Sequence, residues 1–234
     1  MTATTTPAER IRIPAAATFR PALAEFVGSA GLTAVVVGSG IAAQHLSPND
    51  TGLQLLENAL ATALGLTVLI LVFASSSGAQ FNPVVTLVDA ATGGRPWRDL
   101  WSYVPAQVLG CLAGAMLANL MFEQPAASWS STERATPAHL LAEVVATAGL
   151  ILVIFVLART GRGALIAPAV GAYIGAAYWF TSSTSFANPA ITIGRTITDT
   201  FAGIAPDSAP WYIAAQLVGA ALGLVAIKVF APRP

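Results

Sequence analysis

Long apolar runs separated by short polar stretches dominate the chain. Six of these runs approach the ~20 residues that a helix needs to span bilayer hydrocarbon, and they lie at 21–43, 54–74, 100–121, 138–158, 164–181 and 209–231. Two shorter apolar stretches follow Asn82-Pro83 and Asn188-Pro189, and each continues for about ten residues, too few for a span. Asn favours the N-cap position and Pro the first helical position. The pattern predicts an all-α membrane protein with six transmembrane helices and two re-entrant half-helices.

Composition supports a membrane protein and narrows its function. The 234 residues are 55% hydrophobic and only 9% charged, and the mean hydropathy is +0.69, whereas soluble domains carry about 25% charged residues. The net charge of zero and the scattered basic residues argue against nucleic-acid binding. The sequence has no cluster of His, Asp and Glu, no metal-ligand spacing and no nucleophile motif. We therefore expect no enzyme, metal site or cofactor.

Lysine and arginine residues set the expected orientation, because they concentrate on the cytoplasmic side of membrane proteins. With the N-terminus inside, that side holds Arg10, Arg12, Arg20, Arg95, Arg98, Arg159, Arg162, Lys228 and Arg233. The opposite side holds only Arg134 and Arg195. Residues 1–20 are interpreted as a short cytoplasmic tail and residues 21–231 as one membrane domain whose two ends face the cytoplasm.

The two halves of this domain resemble each other, with a first repeat at about 21–121 and a second at about 138–231. The matching segments are 23–32 with 141–150, and 106–110 with 215–219. A Glu-containing helix, an Asn-Pro loop and a Gln-Gly helix recur in that order. Three spans per repeat invert the second copy relative to the first, and inverted repeats place their special site near the bilayer midplane.

Glycines four residues apart on the expected spans predict close helix crossings. The pairs are Gly110 with Gly114, Gly171 with Gly175, and Gly219 with Gly223.

Together these landmarks resemble the aquaporin, or major intrinsic protein, family. Residues 77–86 are similar to the family's first Asn-Pro-Ala loop, with Val84 at the alanine position, and Asn188-Pro189-Ala190 is an intact second motif. The resemblance covers residues 21–231. It implies an aquaporin-like passive channel in the cell membrane, with two loops that meet at mid-bilayer and with one pore in each subunit of a homotetramer.

If the loops meet, the N-termini of both half-helices point into the pore. Each helix end carries roughly half an elementary charge, so the pair repels cations and interrupts proton relay. The side-chain carbonyls of Asn82 and Asn188 can cap their helices. The side-chain N–H groups of both residues can then donate to a neutral solute. The alternative is that Asn-Pro merely caps two surface helices, which leaves the duplication in register unexplained.

Two intramembrane carboxylates, Glu25 and Glu143, occupy equivalent repeat positions. One interpretation is a proton relay. The other is that each carboxylate accepts hydrogen bonds from the backbone of a re-entrant loop, which lipid cannot satisfy. The family resemblance implies the second interpretation.

The expected filter departs from the family pattern. Most members place an Arg directly after the second Asn-Pro-Ala, where this chain has Ile191. The nearest arginine is Arg195, one helical turn further on, and Asp199 follows at a spacing that suits a pair with Arg195. Such a pair is either a surface ion pair or part of a selectivity filter in the outer vestibule. Asp89, at the position equivalent to Arg195, is expected either in a structural contact with Arg95 and Arg98 or in a gating contact.

The other filter walls are expected on the second and fifth spans. Leu64 matches the aromatic filter position, and Tyr178 is the lining candidate within residues 176–179. The histidine that water-selective members carry on the fifth span is absent, because the two histidines are His45 and His139.

An apolar filter without these groups predicts a channel limited mainly by solute diameter. We expect it to pass glycerol-like polyols, undissociated arsenous acid and water. The alternatives are a strictly water-selective aquaporin and a proton-coupled secondary transporter, which also uses inverted repeats and broken helices.

Overall fold

The computed structural model of the protein describes residues 19–231, and all regular structure in that range is helical. The eight α-helices are α1 (Phe19–Leu46), α2 (Thr51–Ser77), α3 (Pro83–Ala91), α4 (Leu100–Met121), α5 (Pro137–Arg159), α6 (Ile166–Phe180), α7 (Pro189–Gly194) and α8 (Ala209–Phe230). Six of them, all except α3 and α7, are long and apolar enough to span a membrane. The predicted all-α class is confirmed. Residues 1–18 of the predicted tail lie outside the described range.

The helices pack as two related sets of four. In the first set α1 packs along α2 and α4, and in the second set α5 packs along α6 and α8. The sets meet where α2 packs on α6 and where α7 reaches α4. Equivalent helices of the two repeats therefore make equivalent contacts, as the inverted repeat predicts.

Close helix packing depends on small residues, as the glycine pairs predict. A Cβ at Gly114 would collide with the backbone carbonyl of Ala30 on α1. At the equivalent place, a Cβ at Gly219 would lie 2.5 Å from the carbonyl oxygen of Val144 on α5. The backbones of α1 and α4, and of α5 and α8, therefore approach each other more closely than larger side chains allow.

The two half-helices, α3 and α7, begin at the prolines of the Asn-Pro motifs and lie inside the bundle. Helix α3 is 9 residues long, whereas α7 is 6 residues long and continues into a 3₁₀ turn at Arg195–Ile197. Neither element is long enough to cross a bilayer. Both start from a buried Asn N-cap, so the N-termini of the two half-helices lie close to each other in the interior.

Candidate functional site: the cavity between the two Asn-Pro loops

A central cavity of about 250 Å³ passes the N-termini of both half-helices. At one end it is lined by Gln80, Asp89 and Arg95, which we call the Asp89 mouth. At the other end it is lined by Tyr178, Phe186 and Arg195, which we call the Arg195 mouth. Apolar side chains of the long helices form the wall between the mouths: Leu32, Val36, Leu66, Ile70, Leu150 and Ile154. The cavity therefore has one apolar side and one side that carries polar loop groups.

The two Asn side chains join the loops at the centre of the cavity. Asn82 Oδ1 accepts the N–H of Val84 at 3.1 Å, and Asn188 Oδ1 accepts the N–H of Ala190 at 2.9 Å. Each side-chain nitrogen then donates across to the other loop: Asn82 Nδ2 to Ala187 O and Asn188 Nδ2 to Phe81 O, both at 2.8 Å. Because an Asn amide has two N–H groups, each Asn retains one donor beside the cavity that both of them line.

The carboxylate of Glu25 holds the first loop from behind. Its Oε1 accepts the hydroxyl of Ser77 at 2.5 Å and the N–H of Gln80 at 3.0 Å. Its Oε2 accepts the N–H of Phe81 and the side-chain amide of Gln107, both at 2.7 Å. In the interior of a membrane protein these backbone N–H groups have neither water nor a helix carbonyl to bond. The carboxylate supplies the acceptors that they need.

Glu143 makes the equivalent contacts with the second loop. Its two oxygens accept the N–H groups of Phe186 and Ala187, both at 2.9 Å, and Gln216 Nε2 donates to it at 2.7 Å. Both glutamates are fully buried.

The backbone that the two glutamates hold is strained in the same way in both loops. Positive φ angles occur at Ala79 and Phe81, and at the equivalent Ser185 and Ala187, with values between 47° and 51°. Left-handed backbone is uncommon for residues other than glycine and persists where the surrounding contacts determine it. The hydrogen bonds to the two carboxylates supply such contacts.

At the Asp89 mouth, an ion pair neutralises the carboxylate at the end of α3. Arg95 Nε lies 2.9 Å from Asp89 Oδ2, and Gln80 Nε2 donates to the same oxygen at 2.7 Å. Arg95 also donates to the carbonyl of Ser77 at 3.1 Å and lies over the ring of Tyr103. Burial lowers the pKa of Arg95, but Tyr103 and Asp89 raise it by more, so the net pKa lies above its ordinary value. The Arg95 guanidinium therefore compensates the charge of the Asp89 carboxylate.

The Arg195 mouth carries a guanidinium without such a partner. Arg195 is buried, its Cζ lies 3.4 Å from the centre of the Phe186 ring, and its Nε donates to the carbonyl of Ala202. No ion pair among residues 19–231 includes Arg195. Beside it, Tyr178 and Thr62 form a hydrogen bond of 3.2 Å between α6 and α2. This mouth thus combines one uncompensated positive charge with two hydroxyl groups.

The structure contradicts two expectations from the sequence: Leu64 as a filter residue and Asp199 as the partner of Arg195. Leu64 is 61% exposed on the outer face of α2 and does not line the cavity, because the lining positions of α2 are Thr62, Leu66 and Ile70. The three lining residues are four apart and therefore share one face of the helix, whereas Leu64 lies on a different face. Asp199 does not pair with Arg195 either, since its Oδ1 accepts the backbone N–H and the hydroxyl of Ser131.

The remaining site residues occupy two environments. Tyr178, Ile191 and both Asn side chains line the cavity. Val84, Pro189 and Ala190 are buried but do not line it, and Pro83 is half-buried beside them.

Sequence reasoning missed Thr62, Ser185 and Arg134. Ser185 lies in the cavity wall, and its buried hydroxyl oxygen has no hydrogen-bond partner among residues 19–231. Thr62, Leu66 and Ile70 recur at four-residue spacing, but so do the exposed Leu60, Leu64 and Val68, so spacing alone does not mark the lining face of α2. No sequence signal marks Arg134 either, because its contacts are with loops distant in sequence.

Comparison with known proteins agrees with this architecture. A family model described as Major intrinsic protein matches residues 13–185, which include α1 to α6 and the first Asn-Pro loop. The chain belongs to the major intrinsic protein family. As a family member it is a multi-pass membrane channel and not an enzyme.

The chain is also similar to individual channel proteins. The chain is 46% identical to Aquaglyceroporin AqpS of Rhizobium meliloti over 89% of each chain. It is 29% identical to the Glycerol uptake facilitator protein of Streptococcus pneumoniae, over 88% of this chain and 97% of that protein. The X-ray structure of the aquaglyceroporin from Plasmodium falciparum superposes with a TM-score of 0.66, at 23% identity, over 91% of this chain and 95% of that one. This last likeness supports the fold alone.

Proposed function

We propose that the protein is a passive channel for small uncharged solutes, namely glycerol-like polyols, undissociated arsenous acid and water. The observation that carries the proposal is the lining of the Arg195 mouth. Ile191 occupies the position after Asn-Pro-Ala and lines the same cavity as Thr62 and Tyr178, whose hydroxyls bond each other. A cavity lined by both apolar side chains and hydroxyl groups suits a solute with a carbon or metalloid body and several OH groups. Relatives named as an aquaglyceroporin and as a glycerol uptake facilitator are consistent with this solute class.

Ions and protons are excluded at two levels in this proposal. The first level is the centre, where Asn82 and Asn188 cap half-helices whose positive ends approach each other. The second level is Arg195, whose buried guanidinium has no ion-pair partner among the described residues. A cation is therefore repelled by a positive potential at both places, whereas a neutral solute can accept hydrogen bonds from the donors there.

The glutamates take a supporting role and not a proton-coupling role. Glu25 accepts four hydrogen bonds and Glu143 accepts three from the loops and from a Gln side chain. A proton relay needs a carboxylate that can release its partners and reach the conduction path. Neither glutamate lines the cavity, which favours a channel over a coupled transporter.

The protein is further proposed to lie in the cell membrane as a homotetramer with both termini in the cytoplasm. The basic residues concentrate on the side of the Asp89 mouth, which supports that orientation. On α2, the exposed residues Leu60, Leu64, Val68 and Leu71 form an apolar stripe suited to contact with lipid or a second subunit.

Stopped-flow light scattering on proteoliposomes tests the proposal. Glycerol and arsenous acid should enter vesicles that contain the protein faster than they enter protein-free vesicles. This entry should have a low activation energy and should not depend on a proton gradient. Water flux should also rise. A channel that passes water but neither larger solute would support the strictly water-selective alternative, and flux that requires the proton gradient would support the coupled transporter.

A further inference from the structure

Three successive backbone carbonyls between α7 and α8 accept hydrogen bonds from two arginines. Arg134, in the loop between α4 and α5, donates through Nη2 to the carbonyl of Phe201 at 3.0 Å and through Nε to that of Gly203 at 2.7 Å. The carbonyl between them, that of Ala202, accepts the Nε–H of Arg195. Arg134 therefore holds the residues on both sides of the carbonyl to which Arg195 donates.

Arg134 is itself anchored at its backbone. Its N–H donates to the hydroxyl oxygen of Ser208 at 3.0 Å, and the next N–H, of Ala135, donates to the same oxygen at 3.2 Å. That hydroxyl in turn donates to Glu133 Oε2 at 2.7 Å. At Gly203, a Cβ would collide with the Ser130 side chain, so the loop carrying Arg134 packs directly on the turn that it clamps.

The placement of Arg195 depends on few contacts of its own. Within residues 19–231, its guanidinium makes one hydrogen bond, to Ala202, and one stacking contact, with the ring of Phe186. Arg134 lies near the same ring, with its Cζ 5.5 Å from the ring centre. If the turn at residues 201–203 moves, Arg195 loses its acceptor and can leave the face of Phe186.

We propose that Arg134 is a positioning residue for charge selection, which fixes the Arg195 guanidinium against the channel wall by clamping the carbonyls of Phe201 and Gly203. The proposal rests on the proposed function, in which Arg195 is part of the barrier to cations. It assigns the selectivity of one mouth to a loop that contributes no residue to the cavity wall described above. The clamp uses the fork of a guanidinium, because the three N–H donors of a lysine ammonium sit on one nitrogen and do not reproduce two donor nitrogens held at a fixed spacing.

The test compares Arg134→Gln, Arg134→Lys, Arg195→Gln and the Arg134→Gln/Arg195→Gln double variant in proteoliposomes. Uptake of guanidinium, a cation of small size, is measured relative to uptake of glycerol. We expect Arg195→Gln to raise this ratio roughly tenfold, because one charge within several ångströms of the path is lost. Arg134→Gln should raise it by a comparable factor, and the double variant should match Arg195→Gln alone.

The Lys variant separates geometry from charge. Arg134→Lys keeps the charge but not the fork, so positioning predicts a ratio close to that of Arg134→Gln. A ratio equal to that of the native protein would mean that Arg134 acts by charge alone and would overturn the proposal. The matched control is Arg162→Gln, because Arg162 is an exposed arginine remote from the clamp whose side chain donates to Thr160, and it should leave the ratio unchanged.

The remaining outcomes are also decisive. If Arg134→Gln lowers the melting temperature but leaves the ratio unchanged, the residue merely holds two loops together and the positioning role is wrong. If the two single effects add in the double variant, the arginines act independently and the proposal is again wrong. If Arg195→Gln itself leaves the ratio unchanged, the charge barrier in the proposed function fails, which is distinct from failure of the clamp.

Discussion

The two re-entrant loops share a scaffold but end in opposite charges. Each loop has an Asn that caps its own half-helix and bonds the other loop, and each is held by a buried Glu and a Gln from the long helices. Seven residues after each Asn, Asp89 lies in the first half-helix and Arg195 begins the 3₁₀ turn that continues the second. Asp89 is neutralised by Arg95, whereas Arg195 has no ion-pair partner among residues 19–231.

This difference distinguishes the loop residues that stabilise the fold from the loop residues that we propose to contact the solute. Equivalent residues recur where buried backbone N–H groups need acceptors, because that requirement is the same in both halves. The sequences diverge where the half-helices open into the two mouths. In the proposed function, the net charge of each mouth influences which solutes approach there.

The largest effect is expected where the loops are alike. Glu25→Gln and Glu143→Gln each replace an acceptor-only group by one that also presents N–H donors to the same backbone. Each donor left without an acceptor should cost roughly 1–3 kcal/mol. We expect a clear loss of melting temperature in detergent for both variants, by similar amounts, and loss of glycerol flux.

Glu123→Gln provides the control, because Glu123 is exposed at the end of α4 and its replacement should leave the melting temperature unchanged. A loss confined to one of the two buried variants would show that the loops are not equally supported.

The next effect should distinguish the two mouths. Arg95→Gln leaves the Asp89 carboxylate without its counter-charge and should destabilise the protein by about 2 kcal/mol. Arg195→Gln removes a buried charge that has no ion-pair partner in the described structure, so the melting temperature should stay or rise.

Thermal unfolding of both variants checks this contrast. Adding Asp89→Asn to Arg95→Gln should recover part of the loss, since the uncompensated carboxylate is then gone. Equal destabilisation by the two arginine variants would contradict the assigned asymmetry.

A smaller, selective effect is expected at the cavity wall. Ile191→Arg places a guanidinium where most family members carry one and narrows the Arg195 mouth. Glycerol and arsenous acid uptake should fall by about tenfold, equivalent to about 1.4 kcal/mol of added barrier, while water flux is retained. Stopped-flow measurements with Ile191→Val as the matched apolar control check it, and unchanged glycerol and arsenite uptake would remove Ile191 from the filter.

The smallest effect is expected at Asp199. Its carboxylate bonds Ser131 in an exposed loop and does not contact Arg195. Asp199→Asn should therefore change the melting temperature by little and leave the guanidinium-to-glycerol uptake ratio as in the native protein. A large change in that ratio would restore the sequence-based pairing of Asp199 with Arg195.

The helices and half-helices were predictable because each depends on local properties. The structure gives spans at Phe19–Leu46 and Pro137–Arg159, close to the expected 21–43 and 138–158. The mouths were less predictable, because the sequence could not determine which of Thr62 and Leu64 faces the cavity. That choice depends on the rotation of α2 against α6, where Thr62 meets Tyr178.

By itself, the sequence determined the six spans, the inverted repeat and the two Asn-Pro half-helices, because apolar length and helix capping act over short stretches of chain. Only the tertiary structure decided the partners of the charged residues. Arg195 contacts Phe186 and Ala202 instead of Asp199, and Arg134 donates to a turn about seventy residues away in sequence. Such partners depend on how loops from different helices converge, and sequence spacing carries no information about that convergence.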